Sequence, residues 1–206
     1  MIGRRTLATL SLLPGLARAQ SPSGAAQAGG WRFKVVRNGT EIGTHEVRVT
    51  QRGRERVTVS DVQVVPRILG VVVYRFQHRY EEVTEGWRFR SVDSRLNRNG
   101  SIAEVRARAT PDAVLVEGPE GALRLPANAA PLSWWDPTRL GGAVPIFGTT
   151  TGRLMDLRWR RRDTPEGFAI ACSGEVEAEC AFTRDGNWIG FSTVGDDGST
   201  VTYAPA

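Results

Sequence analysis

Short segments of alternating apolar and polar residues follow one another along most of this chain, and turn sequences separate them. Asn38-Gly39, Asn99-Gly100, Asp185-Gly186 and Asp197-Gly198 are dipeptides that two-residue β-hairpin turns favour. From Trp31 onward, the chain lacks the 3.6-residue periodicity of an amphipathic helix over any ten residues. The sequence therefore predicts an all-β protein built from antiparallel hairpins.

The predicted strands form two groups on either side of a proline-rich passage at residues 126–145. We predict strands at 31–37, 42–50, 56–65, 71–83, 87–96, 102–109, 113–117 and 122–125 before it, and at 154–160, 168–172, 179–183, 188–193 and 200–203 after it. Successive hairpins at this spacing favour an antiparallel meander of about ten to twelve strands that forms a barrel or half-barrel. Only residues 133–140 have the sequence of a helical turn, with Ser133 or Asp136 as its cap.

The first nineteen residues have the features of a secretory signal peptide. Two arginines, Arg4 and Arg5, precede an apolar stretch, and the small-residue pattern 17–19 then leads to Gln20 as the first mature residue. The paired arginines resemble a twin-arginine export signal, and a general secretory signal is the alternative. We therefore expect cleavage after Ala19 and a periplasmic or secreted protein.

Export changes the meaning of the basic composition. The full chain has a formal charge of +5, and removing residues 1–19 leaves 24 of its 27 basic residues against 22 acidic ones, a net +2. Residues 20–30 are small and form a flexible linker, and residues 31–206 form a single β domain. The domain is charged unevenly, with +7 over residues 31–110 and −5 over residues 111–206. Export argues against a nucleic-acid partner, and no apolar run has the length of a transmembrane helix.

Both histidines of the chain lie on predicted apolar strand faces. Period-two alternation in the predicted strand 71–83 places one set of side chains on a common, largely aromatic face: Val72, Tyr74, Phe76, His78, Tyr80 and Glu82. The same alternation places His45 beside Val47 and Val49. One interpretation is a pocket with a polar floor that includes His45 and His78. The other is two core histidines whose ring nitrogens are satisfied by backbone or hydroxyl partners.

Adjacent tryptophans, Trp134 and Trp135, lie in the proline-rich passage. They cannot both face the core of an extended segment, so they form either a hydrophobic plug or a lid that contacts a ligand. The candidate ligand-lining residues are therefore His45, Tyr74, Phe76, His78, Tyr80, Trp134 and Trp135. Two histidines on separate strands do not make a metal signature, and we predict neither a metal nor a cofactor.

Cys172 and Cys180 are the only cysteines of the chain. They lie on two predicted strands of one hairpin whose tip is near residues 175–177, which places them roughly opposite each other. In an oxidising compartment this arrangement predicts a disulfide, and two buried free thiols are the alternative.

Catalytic sequence motifs are missing from the chain, including the nucleophile elbow, the zinc-protease motif, the phosphate loop and the dinucleotide fingerprint. The leading hypothesis is therefore a non-enzymatic protein that binds an apolar or amphipathic, lipid-like small molecule. One alternative is a hydrolase that uses His78 with Glu81 or Glu82. A second alternative is a structural or interaction protein of the cell envelope.

Several segments in a fixed order carry a resemblance to a known family. They are Gly39-Thr-Glu-Ile-Gly-Thr-His45, Val73-Tyr-Arg-Phe-Gln-His78, Gly86-Trp87, Asn97-Arg-Asn-Gly100, Ser133-Trp-Trp135, Thr151-Gly152, Asp185-Gly-Asn-Trp188 and Tyr203. Over about residues 31–204 the chain resembles an uncharacterised exported bacterial family, a domain of unknown function. The resemblance implies an antiparallel β architecture and an envelope location, and no catalytic residues. More distantly, the layout is similar to the open-barrel lipoprotein carriers of the bacterial envelope, although their amphipathic lid helices are missing.

Overall fold

The computed structural model describes residues 29–195 and 197–206. The predicted signal peptide, residues 1–19, and the linker residues 20–28 lie outside this range. Within it the chain forms seventeen β-strands and no helix, and hence no helix that could cross a membrane. The strands are β1 (Trp31–Arg37), β2 (Thr40–Arg52), β3 (Glu55–Val64), β4 (Arg67–Ile68), β5 (Val71–Val72), β6 (Phe76–Glu85), β7 (Arg88–Arg98), β8 (Ser101–Ala109), β9 (Ala113–Gly118), β10 (Gly121–Pro126), β11 (Ala130–Pro131), β12 (Ile146–Phe147), β13 (Leu157–Thr164), β14 (Gly167–Gly174), β15 (Ala178–Thr183), β16 (Trp188–Val194) and β17 (Thr200–Pro205).

Among the described residues, thirteen of these strands form one sheet in the order β10-β9-β8-β7-β6-β3-β2-β1-β17-β16-β15-β14-β13, with every neighbouring pair antiparallel. The first and last strands, β1 and β17, are neighbours inside the sheet, so they join the two strand groups. The sheet has two ends, β10 and β13, and is consistent with an open or half barrel. The predicted all-β, antiparallel fold is therefore confirmed. The structure adds two small pairs, the antiparallel β4–β5 and the parallel β11–β12.

The Asn-Gly dipeptides turn the chain where the sequence predicts. Asn38 and Gly39 connect β1 to β2, and Asn99 and Gly100 connect β7 to β8. All four residues have positive φ, between 46° and 93°. Asparagine tolerates this left-handed region better than most residues and glycine has no side chain to oppose it, which is why the dipeptide specifies a hairpin.

The predicted strand 71–83 is wrong at its beginning. Residues 71–72 form β5, which folds back on β4, and the long strand β6 begins only at Phe76. The reversal occurs at Leu69-Gly70, where both residues have positive φ. Leu-Gly is not a dipeptide that marks a turn, so the sequence pattern does not reveal this hairpin.

Residues 127–156, the connecting segment, cover one face of the sheet. Trp135 stacks on Tyr80 of β6 with ring centroids 5.6 Å apart, and its ring lies 6.5 Å from that of Trp188 on β16. Phe147 contacts Phe89 of β7 at 5.8 Å. The connecting segment therefore packs against strands from both groups, and this inner face of the sheet holds the hydrophobic core.

The predicted helical turn at residues 133–140 is replaced by two short turns. The amide of Asp136 donates to the carbonyl of Ser133, and the amide of Arg139 donates to the carbonyl of Asp136. The Asp136 carboxylate caps the second turn by accepting the amide of Thr138 at 3.1 Å. These turns direct the Arg139 side chain toward the sheet.

A buried ion pair fixes the connecting segment to the sheet. The Arg139 guanidinium bonds the Glu82 carboxylate of β6, and both side chains are buried. Ser133 donates to the other Glu82 oxygen at 2.7 Å, and Arg139 also lies 3.2 Å from Asp136. Burial disfavours the charged guanidinium, but the Glu82 and Asp136 carboxylates outweigh burial and raise the pKa of Arg139. The buried charges of Glu82 and Arg139 therefore stabilise each other.

We expect Arg139→Met to lower the free energy of unfolding by about 3–5 kcal/mol, because it leaves the Glu82 carboxylate buried without its cation. Urea denaturation measures the change. Arg95→Met is the matched control, since it removes an exposed pair with Glu104 and is expected to cost at most about 1 kcal/mol. Equal effects of the two substitutions would show that the buried pair does not hold the connecting segment.

Candidate functional site

A cavity of about 340 Å³ is lined by the inner face of the sheet and by the connecting segment. The sheet contributes two histidines, two tyrosines, one serine and two apolar side chains to this lining. The lining residues are His45, Ser60, Val62, Phe76, His78, Tyr80, Leu132, Trp134, Gly148, Thr149, Thr150, Thr151, Arg153, Met155, Glu175, Val176 and Tyr203. The wall therefore combines aromatic surface with polar groups, and two of its side chains, Arg153 and Glu175, are charged.

Five of the seven residues that the sequence suggests as ligand-lining residues lie in this wall: His45, Phe76, His78, Tyr80 and Trp134. The other two, Tyr74 and Trp135, are not among the lining residues.

Tyr74 is half-buried on the same side as Phe76, but it lies between β5 and β6, outside the sheet strand that carries the other lining residues. Trp135 is buried between Tyr80 and Trp188, where it supports the wall from behind. The sequence does not reveal the Thr149–Thr151 loop or Arg153, because no periodic pattern connects them to the sheet.

Strand register brings the two histidines into one row. His45 on β2 and His78 on β6 both pair with Val62 of the intervening strand β3. Each histidine then bonds a serine on the next strand. His45 Nε2 lies 2.8 Å from Ser60 Oγ, and His78 Nε2 lies 3.0 Å from Ser94 Oγ. The inner face therefore carries two His–Ser pairs of the same kind.

The protonation of His78 follows from its partner. Ser94 donates its hydroxyl hydrogen to the carbonyl of Thr149 at 2.6 Å. A carbonyl oxygen can only accept, so the His78 Nε2 must carry the hydrogen that bonds Ser94. Burial lowers the pKa of His78 to about 4, so its ring is neutral at pH 7. This chain of bonds joins β6 and β7 to the connecting segment.

One ring nitrogen of His45 is left without a hydrogen bond among the described residues. Its Nδ1 is buried and has no hydrogen-bond partner in the described part of the chain. Burial, and then the nearby His78, lower the pKa of His45 to about 3, so this ring is also neutral at pH 7. A buried polar nitrogen without a partner costs about 1–3 kcal/mol. A molecule in the cavity that bonds this nitrogen would remove that cost.

The tyrosines of the wall keep their hydroxyl hydrogens. Burial raises the pKa of Tyr80 and of Tyr203 above the ordinary range for tyrosine. Tyr80 donates to the carbonyl of Leu132 at 3.4 Å. Tyr203 packs edge-on against the His45 ring at 5.2 Å. Both residues contribute aromatic surface that is neutral at every physiological pH.

Arg153 shows how the sheet curls around the connecting segment. Its Nε lies 3.5 Å from Glu120, between β9 and β10, and its Nη2 lies 3.8 Å from Glu175, which follows β14. The two carboxylates come from opposite ends of the strand order, so both ends of the sheet approach Arg153. The two carboxylates also offset its positive charge at the edge of the cavity.

The hydrolase alternative requires a histidine and a carboxylate within hydrogen-bond distance. The structure instead pairs His78 with Ser94 and uses the Glu82 carboxylate for Arg139 and Ser133. Glu81 is exposed and points to the opposite face of the sheet. These contacts do not bring together the groups that the hydrolase alternative needs.

The predicted disulfide between Cys172 and Cys180 is not present, and both cysteines are buried free thiols. In the β14–β15 hairpin, Cys172 pairs with Ala178, whereas Cys180 pairs with Ile170. The hairpin centre lies one residue earlier than the sequence suggested, which makes the two cysteines diagonal rather than opposite neighbours. Burial raises the pKa of both thiols, so they are poor nucleophiles.

Comparison with known proteins identifies one relationship. The model of a family described as a domain of unknown function (DUF6134) matches residues 33–206. No curated protein and no solved structure matches the chain.

We expect the free energy of unfolding to fall by about 2 kcal/mol per histidine when the pH is lowered from 7 to 5. The unfolded chain binds protons at the ordinary histidine pKa, near 6.5, whereas His45 and His78 bind them in the folded state only near 3 and 4. Between pH 7 and pH 5 the two histidines therefore take up protons in the unfolded chain but not in the folded one, which favours the unfolded state.

Urea denaturation at the two pH values measures this loss. The double variant His45→Asn/His78→Asn should show a much smaller difference between pH 7 and pH 5. A pH dependence equal to that of the unsubstituted protein would assign the effect to other groups.

Proposed function

We propose that this chain, which belongs to the DUF6134 family, is an exported, non-enzymatic protein that binds a small amphipathic molecule in its cavity. The observation that carries the proposal is the buried Nδ1 of His45, a lining residue whose nitrogen has no partner among the described residues. Buried polar atoms in proteins are nearly always bonded, so an unbonded one on a residue that lines a cavity favours a ligand that reaches it.

The volume and walls of the cavity fit such a molecule. A volume of about 340 Å³ lies at the lower end of the range for ligand pockets, about 300–1,000 Å³. Phe76, Tyr203, Trp134 and Met155 offer apolar surface, whereas His45 offers a hydrogen bond. The ligand that this wall favours has an apolar body and one hydroxyl or amide group.

The charges of the site favour a neutral ligand. The two histidines are neutral at pH 7, and burial keeps the two tyrosines protonated. The one cation of the wall, Arg153, lies near two carboxylates. A free carboxylate or phosphate on the ligand would therefore lose its hydration without gaining a full counter-charge.

The hydrogen bonds of the two His–Ser pairs favour binding over catalysis. His78 Nε2 carries a hydrogen toward Ser94, so it cannot take a proton from that hydroxyl. His45 has no carboxylate on its Nδ1 within the described residues, and an acyl-transfer triad needs such a group to orient the base. The other alternative, a structural protein of the envelope, does not account for the cavity.

Mass spectrometry under native conditions tests ligand binding most directly. The protein purified from the cells that produce it should carry a bound molecule of about the size of the cavity. A Val176→Phe variant should lose this molecule, because Val176 lines the cavity and the larger ring fills it.

Val194→Phe is the matched control, since Val194 is exposed and is not one of the residues that line the cavity. His45→Phe removes the free nitrogen while keeping an aromatic ring, and should weaken binding about tenfold. A protein that carries no molecule, or equal retention by the Val176 and Val194 variants, would contradict the proposal.

Export is the second part of the proposal, and the sequence of residues 1–19 supports it. We expect mass spectrometry of the mature protein to find Gln20 at its amino terminus in the periplasmic or secreted fraction. An Arg4→Lys/Arg5→Lys variant should accumulate as uncleaved precursor if the twin-arginine route is used, and should be processed normally on the general secretory route. An uncleaved wild-type chain inside the cell would contradict export.

A further inference from the structure

The hairpin formed by residues 66–75, which we call the apolar hairpin, exposes three aliphatic side chains. Leu69 at its tip is 100% exposed, Val71 is 66% exposed and Val73 is 52% exposed. Scattered exposed apolar residues are common, but three within five residues of one narrow hairpin concentrate apolar surface at its tip.

The turn of the apolar hairpin places a leucine in a backbone conformation that leucine disfavours. Leu69 and Gly70 have φ of 51° and 83°, nearly the angles of Asn38-Gly39 and Asn99-Gly100 in the other two hairpin turns of this kind. Leucine disfavours this left-handed region more than asparagine does. At Leu69 the chain therefore has both a conformational cost and full exposure of a large apolar side chain. Neither stabilises the protein by itself.

The charged side chains in the chain segment around this apolar tip are all basic. Between Asp61 and Glu81 the sequence contains no carboxylate. Arg67 donates to the carbonyl of Gly70 at 3.0 Å, and neither Arg67 nor Arg75 pairs with a carboxylate among the described residues. An apolar tip with flanking arginines is complementary to a surface with an apolar interior and a negative boundary.

The apolar hairpin also adjoins the cavity. It connects β3 to β6, and Val62 near the end of β3 and Phe76 at the start of β6 both line the cavity. A surface that the hairpin contacts would therefore lie beside the cavity wall.

We propose that the apolar hairpin inserts its tip into an anionic lipid surface. Leu69, Val71 and Val73 enter the boundary between headgroups and acyl chains, and Arg67 and Arg75 bond lipid phosphates. A protein partner fits less well, because the three side chains expose only a few hundred Å², whereas a stable interface buries about 800 Å² on each partner.

Co-sedimentation with vesicles tests this proposal. The wild-type protein should bind vesicles of equal parts phosphatidylglycerol and phosphatidylcholine, and should bind pure phosphatidylcholine much less. Leu69→Asn should lower the affinity for the mixed vesicles about tenfold, since it removes the largest inserted side chain. The variant should unfold at the same temperature or higher, because asparagine suits the turn.

Trp87→Asn is the control for a general loss of exposed apolar surface. Trp87 is 78% exposed at the turn between β6 and β7, at the opposite end of β6 from the apolar hairpin. This variant should bind vesicles like the wild type. Arg67→Gln/Arg75→Gln should reduce binding to the mixed vesicles and weaken its dependence on salt.

The proposal is overturned if the wild type does not bind the mixed vesicles, or if Leu69→Asn binds them as well as the wild type does. Sedimentation velocity without lipid gives a further check, since a dimer that Leu69→Asn dissociates would make a second copy the occupant instead. Ligand retention by Leu69→Asn, measured by native mass spectrometry, should be unchanged, so this test stands apart from the proposed function.

Discussion

The buried pair between Glu82 and Arg139 determines where the connecting segment lies. A carboxylate on the inner face of β6 requires a cation, and the two turns after Ser133 supply one. Because the pair is buried, neither charge can be left without the other. Its position also places Trp135 against Tyr80 and closes the core. The cavity lies between the inner face of the sheet and the connecting segment that this pair positions.

The same strand register explains the polar groups of the cavity. In a sheet, side chains two residues apart share a face, so His45 and His78 reach the inner face through the alternation of β2 and β6. Their serine partners lie on the next strands, and both rings stay neutral because burial disfavours the charged form. The two pairs differ in the further hydrogen bonds that they make. The His78–Ser94 pair continues to the connecting segment, because the Ser94 hydroxyl donates to the carbonyl of Thr149. In the His45–Ser60 pair, the Nδ1 of His45 has no hydrogen-bond partner among the described residues.

Turn chemistry shows how far sequence rules extend in this fold. Asn38-Gly39 and Asn99-Gly100 turn as their sequence predicts, because the residue type and the backbone conformation agree. Leu69-Gly70 adopts nearly the same angles with a residue that disfavours them, so no local rule could have identified it. The cysteine pair fails for a related reason. A shift of one residue in the hairpin centre separates Cys172 from Cys180, and the sequence at residues 175–177 contains no turn dipeptide that fixes this centre.

The sequence by itself determined the all-β class, the antiparallel order of most strands and the inward faces of His45, His78 and Tyr80. These properties follow from alternation and from Asn-Gly turns, which act over a few residues. Only the tertiary structure decided that Glu82 pairs with Arg139, that Trp135 supports the wall while Trp134 lines it, and that the loop near Thr149 completes the cavity. Those contacts join residues about fifty or more positions apart, and they depend on how the connecting segment packs on the sheet rather than on any local pattern.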